Sequence, residues 1–439
     1  MIEEFTNPCR NLVKMGLIRK NTRKSSMRFF LVFFVILFGF YYGAYGKDSL
    51  DIEMKLKALN KPALKTIKSQ DGDIIDCIDI YKQHAFDHPA LKNHKIQMKP
   101  SMEFEAKTTT IQNNRFDEQI TSQIWTKSGD CPDGTIPVRR VSREDIRRAS
   151  SPSRFGRKPH RTYSFLDNAL QHKGNFNITT ENVKHPRPMF ISEAVLIALG
   201  FNYLGAKSDI NVWNPPRIEA KDYSTAQIWL LGGLSDTFES IEAGWAVNPS
   251  VFGDSRTRLF IYWTSDGYDQ TGCFNLLCAG FVQTSTKFAL GAAIDPVSRI
   301  SQKQYYFTAS IMLDVKTGNW WLTCANNVIG YWPGSLFSYL KHSATAVQWG
   351  GEVHSPNVRK KPHTTTSMGS GRRAADLWEK ACYHTNIRIK DNSLFIKYPK
   401  YLSEYSDEEY CYSTNLHRET YMSEPHFYFG GPGQNSLCP

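Results

Sequence analysis

The sequence predicts an all-β fold: an antiparallel β-sandwich over 186–439, preceded by a smaller α+β region. Three observations carry this. From about Met189 onward, strand-like runs recur roughly every 10–20 residues, separated by turn signals. No long helical period interrupts them, which argues against alternating strands and helices. Aromatic residues make up 13% of the chain, with 10 Trp, 21 Tyr and 26 Phe, and such side chains suit a pleated, half-buried surface. The 439 residues allow about two to three domains. A hydrophobic fraction of 41% excludes a wholly disordered chain. A mean hydropathy of −0.43 excludes a polytopic membrane protein.

The elements follow in chain order. Phe29–Tyr45 (FFLVFFVILFGFYYGAY) is a nearly unbroken apolar run behind Arg19, Lys20, Arg23, Lys24 and Arg28. With Ala44-Tyr45-Gly46 at its end, 1–46 reads as a secretory signal cleaved after Gly46, and Met27 as a start that gives a signal of ordinary length. About 17 apolar residues can also just span a bilayer, so a membrane-anchored form is the rival reading. Residues 47–149 form the α+β region: an amphipathic helix in 51–60, a strand in IIDCIDIY, a strand in QITSQIWTK and a helix over 139–149. Residues 150–185, rich in Ser, Pro, Arg and His, read as a linker. In the sandwich, strands are expected in AKSDINVW (206–213), AQIWLLGG (226–233), SIEAGWAV (240–247), TRLFIYWTS (257–265), GFVQTS (280–285), QYYFTASIML (304–313) and GNWWLTCA (318–325).

The formal charge of +11 is concentrated early. Between Arg139 and Arg161 stand nine basic residues against Glu144 and Asp145. Without zinc-finger spacing or an RNA-binding aromatic signature, this run reads as a solvated, protease-accessible segment, and no nucleic-acid partner is expected. Secretion makes disulfides the natural state of Cys77, Cys131, Cys273, Cys278, Cys324, Cys382, Cys411 and Cys438, an even number once Cys9 leaves with the signal. The absence of a C-x-x-C pair argues against a structural zinc site. Asn177 heads the one glycosylation sequon, Asn177-Ile178-Thr179.

Common catalytic signatures are missing. There is no G-x-S-x-G elbow, Walker loop or G-x-G-x-x-G. His84 and His88 lie four apart, but the glutamate that a zincin places after its first histidine is absent. The pair reads as a surface turn, and no metal or cofactor is expected. Carboxylates remain. Glu242 in SIEAGW and Glu352 in QWGGEV are each a lone acid in an apolar, Gly- and Trp-containing strand. Alternation puts Glu242, Gly244 and Ala246 on one face and Ile241, Ala243 and Trp245 on the other. Two buried carboxyls that converge split their titrations, one protonated and one ionised, and such a pair can activate a water. The residues alone also allow an edge glutamate and a turn glutamate in unrelated places.

At these residues the chain resembles the neprosin family of plant secreted proteins, glutamic peptidases with an N-terminal activation peptide. The resemblance runs over nearly all of 47–439. It is carried by DGDIIDCIDIY and SGDCPDGTIPVRR, then by AKSDINVWNP, QIWLLGG, IEAGWAVNPSVFGDSRTRLFIYWTSD, TGCFNLLCAGFVQTS, GNWWL, IGYWPGSLF, WGGEV, MGSG and FYFGGPG with a terminal Cys-Pro. It implies a β-sandwich catalytic domain with catalytic glutamates at Glu242 and Glu352, one acting as base on a water and the other as acid. It further implies endopeptidase cleavage after proline in acid, on proline-containing polypeptides. A monomer is expected, with residues 47 to about 180 covering the cleft as its inhibitor and masking the glutamates, held by ion pairs between the basic 139–161 segment and the catalytic domain that carboxylate protonation weakens. Under this reading Trp245, Trp263, Tyr331 and Trp349 are candidates for a cleft that stacks on proline rings, and Gln227 and Gln283 are candidate oxyanion donors.

The resemblance also implies the disulfides Cys273–Cys278 and Cys411–Cys438, with Cys77–Cys131 stapling the pro-region. Cys324 and Cys382 lie outside the family pattern; the even count leaves them to pair with each other or to remain as thiols. Arg372-Arg373-Ala374 after MGSG departs from the family's acid-rich stretch, which bears on substrate preference. The competing function is a non-catalytic secreted cell-wall protein that binds proline-rich or glycan ligands in an aromatic cleft.

Overall fold

The structure, a computed structural model, describes residues 49–101, 117–161, 163, 190–421 and 423–439. The apolar run at 29–45 and the sequon at Asn177 lie outside these residues. No helix among the described residues is long and apolar enough to cross a membrane. Contacts divide the chain into a unit over Met1–Lys55, of which 49–55 is described and helical, and a large unit over Leu56–Pro439.

The large unit begins with β1 (Ala63–Lys68), β2 (Ile74–Asp79), β3 (Asp117–Gln119) and β4 (Thr135–Arg139). β1, β2 and β4 form a small antiparallel sheet closed by the Cys77–Cys131 disulfide. The strand expected at 119–127 ends at Gln119. Residues Ile124–Ser128 form a 3₁₀ turn instead, because the Trp125 ring is buried and its Nε1 donates to Gln123 Oε1. The helix expected over 139–149 is confined to Arg143–Arg147. Ser142 and Asp145 cap its start reciprocally, and Arg139 is held in β4.

The sandwich is built from β5 (Ile191–Asn211), β6 (Tyr223–Gly232), β7 (Glu239–Val247), β8 (Arg258–Thr264), β9 (Val282–Gln283), β10 (Gln304–Asp314), β11 (Asn319–Cys324), β12 (Asn327–Trp332), β13 (Ala344–His354), β14 (Cys382–Asp391), β15 (Ile396–Lys397), β16 (Ser403–Ser406), β17 (Ser413–His417) and β18 (His426–Gly430). The strand order is β8-β7-β6-β13-β5-β10-β11-β12-β9, with β14, β18 and β17 branching from β5. β5 is the hinge of this sheet. Its first half pairs with β13 and β16, and its second half pairs with β10 and β14. Gly200, at φ +100°, lies where the partners change. The sheet thus curls until its two halves share one core. Ile228, Ile241, Ile261 and Trp349 from one half join Ile210, Ile311, Leu322 and Phe429 from the other. This is the antiparallel sandwich that the sequence predicts, with a smaller α+β region before it.

The early region is not a detached bead. Ile78, Ile80, Leu91, Ile136 and Val138 belong to the sandwich's own core, and β3 pairs in parallel with β10. His84, expected in a surface turn, is buried with Nε2 at 2.6 Å from Leu59 O. Asp73 meets the buried Arg258 of β8 at 2.6 Å.

Cys273–Cys278 and Cys411–Cys438 are bonded. Cys324 and Cys382 are free, buried thiols. They stand on β11 and β14, with β10 and β5 between them. Three strand spacings of about 4.8 Å exceed the roughly 7 Å Cα separation that a disulfide tolerates.

Candidate functional site

The face of β7 opposite the core carries Glu242. Ile241, Ala243 and Trp245 point into the shared core, whereas Ala246 belongs to a second cluster with Trp229, Tyr262 and Tyr223. Register then fixes three rows of residues across this second face. Tyr262, Glu242, Trp229 and Gln348 form the first. Gly244, Gln227, Gly350 and Val195 form the next, and Ala246, Thr225, Glu352 and Glu193 the third. The two glutamates therefore lie diagonally across the sheet with Gln227 between them.

The glycines of the middle row are required. A Cβ on Gly244 would run into Ala226 O, and one on Gly350, at φ +146°, into Ala194 O. This explains Glu-x-Gly in IEAGW and Gly-x-Glu in WGGEV: each acid is flanked by a residue that lets the neighbouring strand close and leaves the floor between the carboxyls bare.

Both carboxyls are fully buried, and a single cation joins them. Lys158 Nζ lies 2.6 Å from Glu242 Oε2 and 3.1 Å from Glu352 Oε1. Glu242 also accepts from Gln227 Nε2 at 2.9 Å, Ser240 Oγ at 2.8 Å and Tyr268 Oη at 2.5 Å. Glu352 accepts from Tyr223 Oη at 2.6 Å and from Arg161 NH1 at 3.0 Å. The other arm of the Arg161 guanidinium reaches Glu193 Oε1 at 2.8 Å, which Tyr163 Oη also meets at 3.0 Å.

These cations arrive on a short stretch laid over the face. Phe274 N donates to Gly156 O, Lys158 N to Tyr262 Oη, Arg161 N to Gly267 O and Tyr163 N to Ser235 O. The Arg161 guanidinium stacks 4.1 Å from the Tyr163 ring centre. The basic run read as solvated is thus inverted at its end: Lys158 and Arg161 are 1% and 3% exposed, because three buried carboxylates draw them in. Beside the stretch opens a cavity of about 580 Å³ whose lining holds Arg154, Arg157, Lys221, Tyr223 and His354 and, among the described residues, no acid.

The charges shape the titrations. Burial alone would raise Glu352, but Lys158 and Arg161 outweigh it and hold the carboxyl below its usual range. Burial dominates at Glu193 and pushes it up to about 7 despite Arg161. Burial opposes the charge of Lys158, yet Glu242 and Glu352 raise its pKa above the ordinary lysine value. Burial also pulls His354 down to about 4; its ring stacks on Tyr223, 5.0 Å between centres.

Of the other expected site residues, Gln227 is at the centre of this constellation. Trp245, Trp263 and Trp349 are not: each has the opposite strand parity and lies in the core. Trp245 Nε1 donates to Asn211 O, and Trp263 packs edge-on against Phe337 and His88. Tyr331 Oη binds His94 and the Gln97 N–H, and Gln283 ties Gln83 to Phe288 O. Those rings and that amide build the sandwich and its seam with 80–101, so no stacking cleft is made from them. The sequence points to ion pairs between the 139–161 segment and the catalytic domain without singling out Lys158 and Arg161 in it, and Tyr223, Tyr268, Ser240 and Glu193 are not among its candidates. Glu193 carried the same signal as its partners, a lone acid in the apolar run ISEAVLIAL. Among metal-type ligands, His363 sits with Cys411 and Cys438, but both sulfurs are spent in a disulfide.

Two family models match this chain: Neprosin over residues 220–432 and Neprosin activation peptide over 66–185. Among solved structures, Scytalido-glutamic peptidase with a peptide-based transition-state analogue matches at 9% identity and a TM-score of 0.30, covering 55% of this chain and 98% of its own. CG-16, a homodimeric agglutinin from chicken liver, matches at 12% identity and a TM-score of 0.20, covering 37% of this chain and 96% of its own.

Proposed function

Because this chain belongs to the neprosin family and carries that family's activation peptide, we propose that it is the zymogen of a secreted, acid-active glutamic endopeptidase that cleaves after proline. The observation that carries this reading is the Lys158 ammonium shared by Glu242 and Glu352. One small cation touches both carboxyls, so a single water can do the same once the cation leaves. The ionised glutamate then takes a proton from that water as its oxygen attacks the substrate carbonyl. The protonated one gives its proton to the departing amine. Gln227 Nε2 lies beside Glu242 and can donate to the oxyanion.

The same contact supports an inhibitory role for the pro-region. Lys158 and Arg161 neutralise the carboxyls that must titrate, and their stretch covers the face on which a substrate would lie.

The test uses acid-treated protein, a proline-containing peptide and mass spectrometry of the products. Cleavage after proline is expected from the wild type, with each of Glu242→Gln and Glu352→Gln losing at least about 1,000-fold. Cleavage that survives either substitution, or a wild type that cuts nothing in acid, overturns the reading.

A further inference from the structure

Glu193 is not needed by the two-glutamate mechanism, yet it is built into the same face. It lies directly opposite Glu352 on the neighbouring strand, in register, and both carboxyls are buried. Opposed residues of an antiparallel pair have Cβ atoms about 5 Å apart. One guanidinium fork bridges them, with NH2 of Arg161 on Glu193 and NH1 on Glu352. The hydrogen-bond and ion-pair partners of the Glu193 carboxylate, Arg161 and Tyr163, both belong to the covering stretch.

We propose that Glu193 is a third carboxyl of the active site: after the stretch leaves, it shares a proton with Glu352 and so sets the acidity at which Glu352 works. This rests on the glutamic-peptidase reading above. Among the described residues, the groups that remain around the pair supply no cation in contact with either carboxyl; Tyr405 on β16 is a further phenol near Glu193. Tyr223 on β6 and Tyr268 are phenols, and Glu242 on β7 is a further acid. Asp407 accepts from the Glu193 N–H but is paired with Arg359, and His354 on β13 lies behind Tyr223. The departing groups are the cations Lys158 and Arg161, with Tyr163. Two like carboxyls facing each other without a cation do not both ionise at one pH; the first proton is held more tightly than either carboxyl would hold it alone. Glu193 acts through Glu352 and is a positioning residue.

The experiment compares the pH dependence of kcat/KM for acid-matured wild type, Glu193→Gln and Glu193→Asp on one proline-containing peptide. Glu193→Gln removes the like charge, so one limb of the profile moves to lower pH by about one unit, while the other limb stays. Glu193→Asp keeps a carboxyl and moves the limb less. The limb that moves also identifies Glu352: the acidic limb if it is the base, the alkaline limb if it is the acid. Limbs that coincide with the wild type in Glu193→Gln overturn the proposal. Should that variant fail to accumulate as folded zymogen, Glu193→Ala, which also removes the carboxyl, decides in the same way, displaced or coincident. A Glu242→Gln protein that cuts the peptide as fast as wild type would instead sink the peptidase reading, leaving the two failures distinct.

Discussion

Replacing Lys158 with glutamine tests latency at its tightest point. The ammonium, Glu242 and Glu352 have no exposed side-chain surface, and the two contacts are 2.6 and 3.1 Å. Removing one partner of a buried ion pair costs about 3–5 kcal/mol, since the remaining charge is stranded out of water. Here the lower end applies. Arg161 still faces Glu352, and Glu242 keeps its donors Gln227, Ser240 and Tyr268. A loss of about 3 kcal/mol raises the open population about 100-fold, at about 1.4 kcal/mol per factor of ten. The assay is incubation at neutral pH, with conversion of the intact chain followed by mass spectrometry. Lys158→Gln is expected to mature at pH 7 about 100 times faster than wild type, while Lys158→Arg, which keeps the charge, stays close to wild type. Pairing Lys158→Gln with Glu242→Gln should restore part of the lost melting temperature, because the stranded charge is then gone. A Lys158→Gln protein that melts at the wild-type temperature and remains intact at pH 7 for as long refutes a latency held by Lys158.

Closure should also weaken in acid. The Glu352 carboxyl is depressed in the closed form, so its contribution is complete above the ordinary value of 4.5 and is lost as pH falls below it. His354, pulled down to about 4, makes closure less favourable as pH falls from 6.5 toward 4. Glu193, raised to about 7, has the opposite sign: its contribution is present below the ordinary carboxylate range and is lost as pH rises through 7. Maturation is therefore expected to be slowest between about pH 4.5 and 6.5, where the opposed contributions of Glu193 and His354 offset each other, and to accelerate below about 4.5, with His354→Gln requiring more acid; a rate independent of pH between 6 and 3 would contradict this. Asp73→Asn should lower the unfolding free energy by about 3 kcal/mol in urea titration, since it leaves the buried Arg258 with Asp254 as its one carboxylate beside the Gly291 carbonyl. Trp245→Phe should cost about 2–4 kcal/mol, from the lost bond to Asn211 O and the space left by the larger ring in the core, and leave KM unchanged. A several-fold rise in KM at unchanged stability would put that ring back in the cleft.

What the sequence discloses, and what it hides, follows from parity and register. Alternation within β7 is a local property, so the opposite faces of Glu242 and Trp245 can be read from SIEAGW. The same parity rule, carried three residues back from Glu352, places Trp349 in the core; proximity along the chain to a buried acid is a poor guide to facing it. The strand β5 is less legible. Its first half is buried on both faces, so ISEAVLIAL has no alternation to betray a strand, and the face that Glu193 takes is hidden with it. Lys158 and Arg161 are a different case. A charge run is solvated unless something buried needs it, and that need arises from Glu193, Glu242 and Glu352, three carboxyls that only sheet register brings to one face. Counting charges along a chain cannot reveal this. The physical condition is that a buried acid must be matched by a buried base or by a proton. Three lone acids in apolar strands therefore demand cations from somewhere, and the basic run of a pro-region is a supply that maturation can withdraw.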